Sequence, residues 1–291
     1  MAALPAAVAQ NATSTAPASG TPEAVLLARH TALAAQLANN PFRRPLVLES
    51  SDGNGGVSGN AYAVLDAPFV TVSNTFRSPN RWCDVLILHL NTKQCKADVE
   101  ASTGKIAVHI GRKKPQELND ASLLEFDYRV VSSSPRYMAS QLNAEKGPMG
   151  TSAYKIEIQV APVSEGKTFM HLRYSYGYNT ASRLAMQAYL GTLGSGKIGF
   201  THAGGQGSDA KTGYVTGLRG AIERNTMRYY LAIDAYLASL KLPPSQQVDA
   251  RLEGWFDATE QYAGQLHEVD RGEYLAMKKA ELQRQQSANG G

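Results

Sequence analysis

The residues best equipped for chemistry in this sequence are tyrosines. Tyr174, Tyr176 and Tyr178 alternate along the stretch Met170 to Tyr178. On a β-strand, alternation puts all three phenols on one face, together with Met170 and Leu172. Such a face can line a pocket, apolar in body with a few polar tips that orient a guest. It can equally form a core whose hydroxyls reach the rim. Arg224 and Arg228 lie one helical turn apart. Either they form a solvated face paired with Glu223 and strand acids, or one of them fixes the anionic head of a ligand.

Other chemistries find less support. Gly191 to Lys197 fits the first seven positions of a phosphate-binding P-loop, but the eighth, which should be a hydroxyl that holds magnesium, is Ile198. A helix is expected before this stretch and a strand, Lys197 to His202, after it, the reverse of a P-loop's setting. Gly194, Gly196 and Gly199 spell a dinucleotide fingerprint in the same wrong setting, so the stretch reads as a connection and a turn. The six histidines are scattered; His89, His109, His171 and His267 stand apart, with no spacing that suits a metal. No G-x-S-x-G elbow occurs. No cofactor is expected. Cys83 and Cys95 have no further Cys or nearby His, which excludes a zinc site. They are either one bridge in an exported protein or two buried thiols in a cytosolic one.

The chain has 291 residues, 43% apolar and 19% charged, with a formal net charge of +4. It is long enough for one large domain or two. The basic residues are dispersed, so no nucleic-acid partner is expected. No apolar run approaches the roughly 18 residues of a membrane span. Ala7-Val8-Ala9 before Gln10 has the pattern of an export cleavage site without its basic front half. The sequence therefore reads as that of an exported, periplasmic protein with a truncated signal, the cytoplasm being the alternative. If it is exported, a Cys83–Cys95 bridge should tie a short helix to the strand after it.

These residues must be positioned by helices and strands whose signals are mostly clear. Thr21-Pro22-Glu23 opens a helix that runs to about Ala38. A polar, glycine-rich turn, Ser50 to Asn60, leads to a short strand, Asn60 to Leu65. Two short helical segments follow, opened by Asp66-Ala67-Pro68 and Ser78-Pro79-Asn80. The period then changes to two, over 106–110, 124–130, 154–160 and 170–178, with a mixed extended stretch at 137–144. Alternation with one polar face marks an antiparallel meander. Thr180 to Leu190 is helical. The longest helix lies in Tyr214 to Leu242, with a stripe through Ile222, Thr226, Tyr229, Ile233 and Leu237, and ends at Pro243-Pro244. Two more helices follow, the first striped by Val248, Leu252, Trp255, Thr259, Tyr262 and Leu266.

This order resembles the helix-grip fold of the START and polyketide-cyclase (SRPBCC) superfamily, over roughly residues 57 to 240. The local resemblance is carried by VSGNAYAVLDAPFVTVSNTFRSPNRWCDVL, where a first strand passes through Ala67-Pro68 into short helices that end near Trp82. The fold class implied is α+β, a curved antiparallel sheet wrapped around a long C-terminal helix, with extra helices at both ends. The expected divisions are a tail at 1–21, an N-terminal helix at 22–45, the helix-grip domain at 46–244, a helical extension at 245–286 and a tail at 287–291. The resemblance implies a tunnel between sheet and helix that holds a lipid- or sterol-like ligand; some relatives use it for enzyme chemistry. Geometry places Tyr154, Ile156, Ile158, Leu172, Tyr174 and Tyr176 from the sheet, and Arg228, Tyr229, Ile233 and Leu237 from the helix, around it. A third reading makes 245–286 a surface for a protein partner or a second copy.

Overall fold

The computed structural model describes residues 20–100, 103–192, 196–203, 207, 209 and 212–289. The expected N-terminal tail falls outside these residues almost entirely, as do Gly194 and its immediate neighbours in the glycine-rich connection. Helix α1, Pro22–Ala38, is capped by Thr21, whose Oγ1 accepts from the Ala24 N–H at 3.3 Å. Strands β1, Leu46–Gly53, and β2, Gly56–Leu65, come next. They form a hairpin through Asn54 and Gly55, both at positive φ (53° and 76°), as a two-residue hairpin turn requires. The glycine-rich stretch is thus the tip of a hairpin and not a free turn. Helices α2, Phe69–Phe76, and α3, Pro79–Leu86, then carry the chain to β3, Thr92–Glu100.

A meander follows: β4, Thr103–Ile110; β5, Ser122–Ser133; β6, Met138–Lys146; β7, Ser152–Ser164; β8, Lys167–Gly177. The eight strands make one antiparallel sheet in the order β1-β2-β8-β7-β6-β5-β4-β3. Closing β8 onto β2 brings the hairpin beside the end of the meander, so α2 and α3 must cross from one edge of the sheet to the other. Helix α4, Thr180–Thr192, leads towards the long helix α5, Gly217–Ser239. It is followed by α6, Pro244–Glu260, α7, Ala263–Leu266, and α8, Arg271–Asn289, which runs past the expected end at 286. A curved antiparallel sheet closed over one long helix is the helix-grip arrangement. Its core joins the inner sheet face to α2, α3, α5 and α6, while α1 caps a second, smaller cluster around Phe169 on the outer face.

Helix α5 lies against β1, β2 and β8. It comes closest at Gly59, where an added Cβ would collide with the Thr226 side chain. Leu46–Gly53 and Thr92–Glu100 are the edge strands of the sheet; the first shows no alternation, whereas in the second Cys95, Ala97 and Val99 alternate with polar residues. At the start of β3, where the register shifts, Lys93 is buried and its ammonium bonds Leu90 O at 3.1 Å and Glu281 at 3.0 Å. Lys197–His202 is not a strand. Its backbone makes a single bridge, His202 to Tyr214, and the N–H groups of Phe200 and Thr201 are taken by the buried carboxylate of Glu223 at 2.6 and 3.0 Å.

The C-terminal helices pack on their own domain. Trp255 is buried, donates from its indole N–H to Arg228 O at 3.1 Å and stacks on Tyr274 at 4.9 Å. From α8, the Tyr274 hydroxyl donates to Leu88 O at 3.0 Å, and the Lys278 ammonium to His89 O and Thr92 O, each at 2.7 Å. Helix α8 therefore grips the backbone between α3 and β3. A disulfide, Cys83–Cys95, fastens α3 to β3 beside it, with the Cα atoms 5.2 Å apart. Closing so short a loop should contribute about 3 kcal/mol. Replacing both cysteines by alanine should lower the urea-unfolding free energy by about that amount; an unchanged value would show the bridge to be idle.

Candidate functional site

A cavity of about 350 Å³ opens between the N-terminal half of α5 and the inner faces of β4, β5, β7 and β8. Three turns of α5 face it through Ala221, Asn225 and Tyr229, spaced four residues apart. The facing sheet presents Val108, Leu124, Phe126, Tyr154, Ile156, Tyr174 and Tyr176. The mouth is formed by the loop after β4 (Arg112, Gln116, Asp120), the turn at Pro148 and Met149, and Met186 and Leu190 of α4.

Of the residues expected here, Tyr154, Ile156, Tyr174, Tyr176 and Tyr229 line the cavity. Ile158, Leu172, Ile233 and Leu237 do not; they are buried in the solid core, where the C-terminal half of α5 is enclosed by α3 and α6 as well as by the sheet. Nor does Arg228. Its guanidinium bonds Leu266 O at 3.2 Å and the Glu268 carboxylate at 2.9 Å. Burial pushes the Glu268 carboxyl up, but Arg228, Lys113 and Lys197 together bring it below the usual carboxylate range. Arg224 donates to Ile198 O at 3.1 Å. Lys197, the lysine of the P-loop-like stretch, donates to His267 O at 2.6 Å. The basic residues near the start of α5 thus anchor loops. Tyr178 stands at the edge, with its hydroxyl on Asp52 at 2.5 Å.

The cavity wall is a chain of rings. Tyr176 stacks on Tyr154 at 5.1 Å; Tyr174 meets Tyr229 edge-on at 5.2 Å; Tyr229 touches His89 at 5.1 Å. The Tyr154 hydroxyl is shared with Thr151 at 2.8 Å. Those of Tyr174, Tyr176 and Tyr229 make no hydrogen bond to any described residue. Burial, reinforced by the neighbouring phenols, pushes all three well above the ordinary phenol value, so they stay protonated. The sequence does not single out His89, which stands alone in a stretch without alternation. Its Nδ1 lies 3.2 Å from the Asn91 N–H and accepts from it, which leaves the ring proton on Nε2. Burial, and then the charges of Arg228, Lys278 and Lys113, hold its pKa well below the ordinary 6.5. Asn225, Ala221 and Met186 were also missed. The helix stripe read from the apolar residues is the core stripe, and the cavity stripe lies beside it, one residue earlier at Ala221 and Asn225.

Solved structures resemble this arrangement loosely. A norcoclaurine synthase point mutant from Thalictrum flavum, in complex with a transition-state analogue, is 11% identical, with a TM-score of 0.33 over 51% of this chain and 89% of that one. Human StAR-related lipid transfer protein 5 is 8% identical, with a TM-score of 0.31 over 53% and 83%. A conserved protein from Geobacillus kaustophilus is 13% identical, with a TM-score of 0.36 over 62% and 95%. No family model matches the sequence. No curated protein matches it either. At such scores nothing about activity passes from these structures to this chain, and the helix-grip description stands on the strand order and the place of α5.

Among the described residues, no three His, Cys, Asp or Glu side chains gather as a metal site would need. No helix among them is long and apolar enough to cross a membrane. The cavity offers apolar surface, neutral hydroxyls, an amide and a neutral imidazole, a set suited to holding a molecule in one orientation.

The state of His89 has a measurable consequence. An unfolded histidine titrates near 6.5. With its folded value depressed, the stability that His89 contributes is complete above about pH 6.5 and is lost as pH falls through the folded pKa. His171, lowered to about 4 chiefly by burial, adds to the same slope. The urea midpoint of the protein should therefore drop between pH 7.5 and pH 5, and drop less in His89→Gln. Equal slopes would show that His89 is not held neutral.

Proposed function

We propose that this protein binds a small hydrophobic molecule in the cavity between α5 and the sheet, and works as a carrier or receptor for it. The observation that carries this reading is the set of hydroxyls on Tyr174, Tyr176 and Tyr229, which lie in an apolar cavity and have no hydrogen-bond partner among the described residues. These hydroxyls open onto the cavity, where a bound molecule with acceptors would pair with them and be oriented by them. The volume, about 350 Å³, lies at the small end of the roughly 300–1,000 Å³ of ligand sites. Of the expected contacts, the reading keeps Tyr154, Ile156, Tyr174, Tyr176 and Tyr229, and adds Asn225 and His89.

Catalysis has less to support it. An acid–base catalyst needs a group whose pKa lies near the working pH, and burial moves these phenols and this imidazole away from neutrality on both sides. A partner-binding role for 245–286 also has less support, since Trp255, Leu252 and Leu266 are covered by the chain's own helices. The Cys83–Cys95 bridge fits an oxidising compartment, and we place the protein outside the cytoplasm, in a periplasm.

Ala221 tests the reading. It faces the cavity from a helix and carries only a methyl group, so Ala221→Trp should fill the space. Native mass spectrometry of the wild type should show a co-purified or added hydrophobic molecule, and Ala221→Trp, folded by circular dichroism, should lose it. A folded Ala221→Trp that retains the molecule would place the binding site elsewhere.

A further inference from the structure

We infer that the cavity selects an uncharged ring compound with hydrogen-bond acceptors on its rim, and that the hydroxyls of Tyr174, Tyr176 and Tyr229 are the groups that read those acceptors. The inference rests on the cavity being a ligand site and adds the chemical class that the site takes.

Shape comes first. The wall from Tyr176 through Tyr154 and Tyr174 to Tyr229 is a continuous run of rings, with successive centroids 5.1, 6.3 and 5.2 Å apart. Aromatic faces and edges at this spacing offer the surfaces on which another flat ring packs, by offset stacking or edge to face. An alkyl chain gains nothing specific from such a wall. The space is also compact, about 350 Å³, and suits a few fused rings better than a lipid with two long chains.

Charge comes second. Among the described residues, the only ionic side chains on the lining are Arg112 and Asp120, of opposite sign, both exposed on the loop at the mouth. None of the described residues brings an ionic side chain to the interior lining, so a carboxylate or ammonium carried inside would lose its water without an ionic partner on the wall, which is costly. The cavity's own titratable groups feel the same penalty from both sides. The phenols of Tyr174, Tyr176 and Tyr229 are pushed up and kept neutral, and the imidazole of His89 is pushed down and kept neutral.

Hydrogen bonding comes third. Phenol hydroxyls held protonated are donors, and these three are spread along the ring wall and unshared among the described residues. A flat guest with a hydroxyl or carbonyl on its rim supplies the missing acceptors without bringing a charge.

The test uses a matched set on one ring system, measured by calorimetry at pH 7 on the full chain: naphthalene, 2-naphthol, 2-naphthoate and 2-(aminomethyl)naphthalene, with palmitate and dioleoylphosphatidylcholine vesicles beside them. The expected result is that 2-naphthol binds best and that the two charged analogues bind at least about tenfold more weakly. The variant with Tyr174→Phe, Tyr176→Phe and Tyr229→Phe should lose about tenfold in affinity for 2-naphthol and keep its affinity for naphthalene, which has no acceptor to lose. Should the triple variant fail to fold, Tyr229→Phe alone carries the comparison, with a smaller loss expected in the same direction. Binding of 2-naphthoate or palmitate as tightly as 2-naphthol would overturn the inference and leave the cavity as a ligand site for anions. An equal loss of naphthalene and 2-naphthol in the variant would also overturn it, since the hydroxyls would then act through shape alone. Failure of every compound to bind, with the wild type also empty in native mass spectrometry, would remove the ligand site itself.

Discussion

One helix cannot cover an eight-stranded sheet. A helix with its side chains is about 10–12 Å wide, whereas strands lie about 4.8 Å apart, so α5 can cover only a few of them. Helix α5 rests on β1, β2 and β8, drawn close at Gly59 where the sheet gives up a side chain. The other strands must find different cover. Helices α2 and α3, which the chain needs anyway to cross from β2 to β3, fill the space at one end. At the other end, around the N-terminal half of α5, α4 reaches the mouth through Met186 and Leu190 without filling the space beneath, and the cavity remains there.

Buried charge holds the loops around α5. Glu223 takes two backbone N–H groups from the loop before α5 and a hydroxyl from Ser50. Arg228 joins α5 to the segment after α7 through Leu266 O and Glu268. Lys278 and Lys93, sharing Glu281, bind three carbonyls between Leu88 and Lys93 and so fix the segment that carries His89. Buried ions are weak evidence of stability, but removing one partner from such a set is costly. Their effect here is geometric: each satisfies backbone groups that no helix or strand ladder reaches. The C-terminal extension thereby helps to build the cavity wall, even though it lies outside the sheet-and-helix unit.

The sequence by itself determined most of the meander and the long helix, because they are written in a local period, two for β4, β5, β7 and β8 and three to four for α5, and it marked the short helices after β2 by the prolines that open them. It determined the capping of α1, through Thr21 and Pro22. The bridge was legible only as a pair of cysteines, and its closure waited on α3 and β3 lying side by side. Tyr154, Tyr174 and Tyr176 were legible as cavity residues because alternation fixes which face of a strand they share.

Tertiary structure alone decided the rest. Edge strand β1 lacks alternation, since an edge is half solvated, and β3 opens on a buried lysine that only its partner Glu281 from α8 accounts for. The strand expected at Lys197–His202 became a loop because a carboxylate from α5 satisfied its backbone. Ile233 and Leu237 went to solid core, and Ala221 and Asn225 to the cavity, because the position of α5 along the sheet is set by contacts far apart in sequence. Arg228 faced Glu268 instead of a ligand for the same reason: a side chain's period tells which face of the helix it is on, and only packing tells what lies against that face.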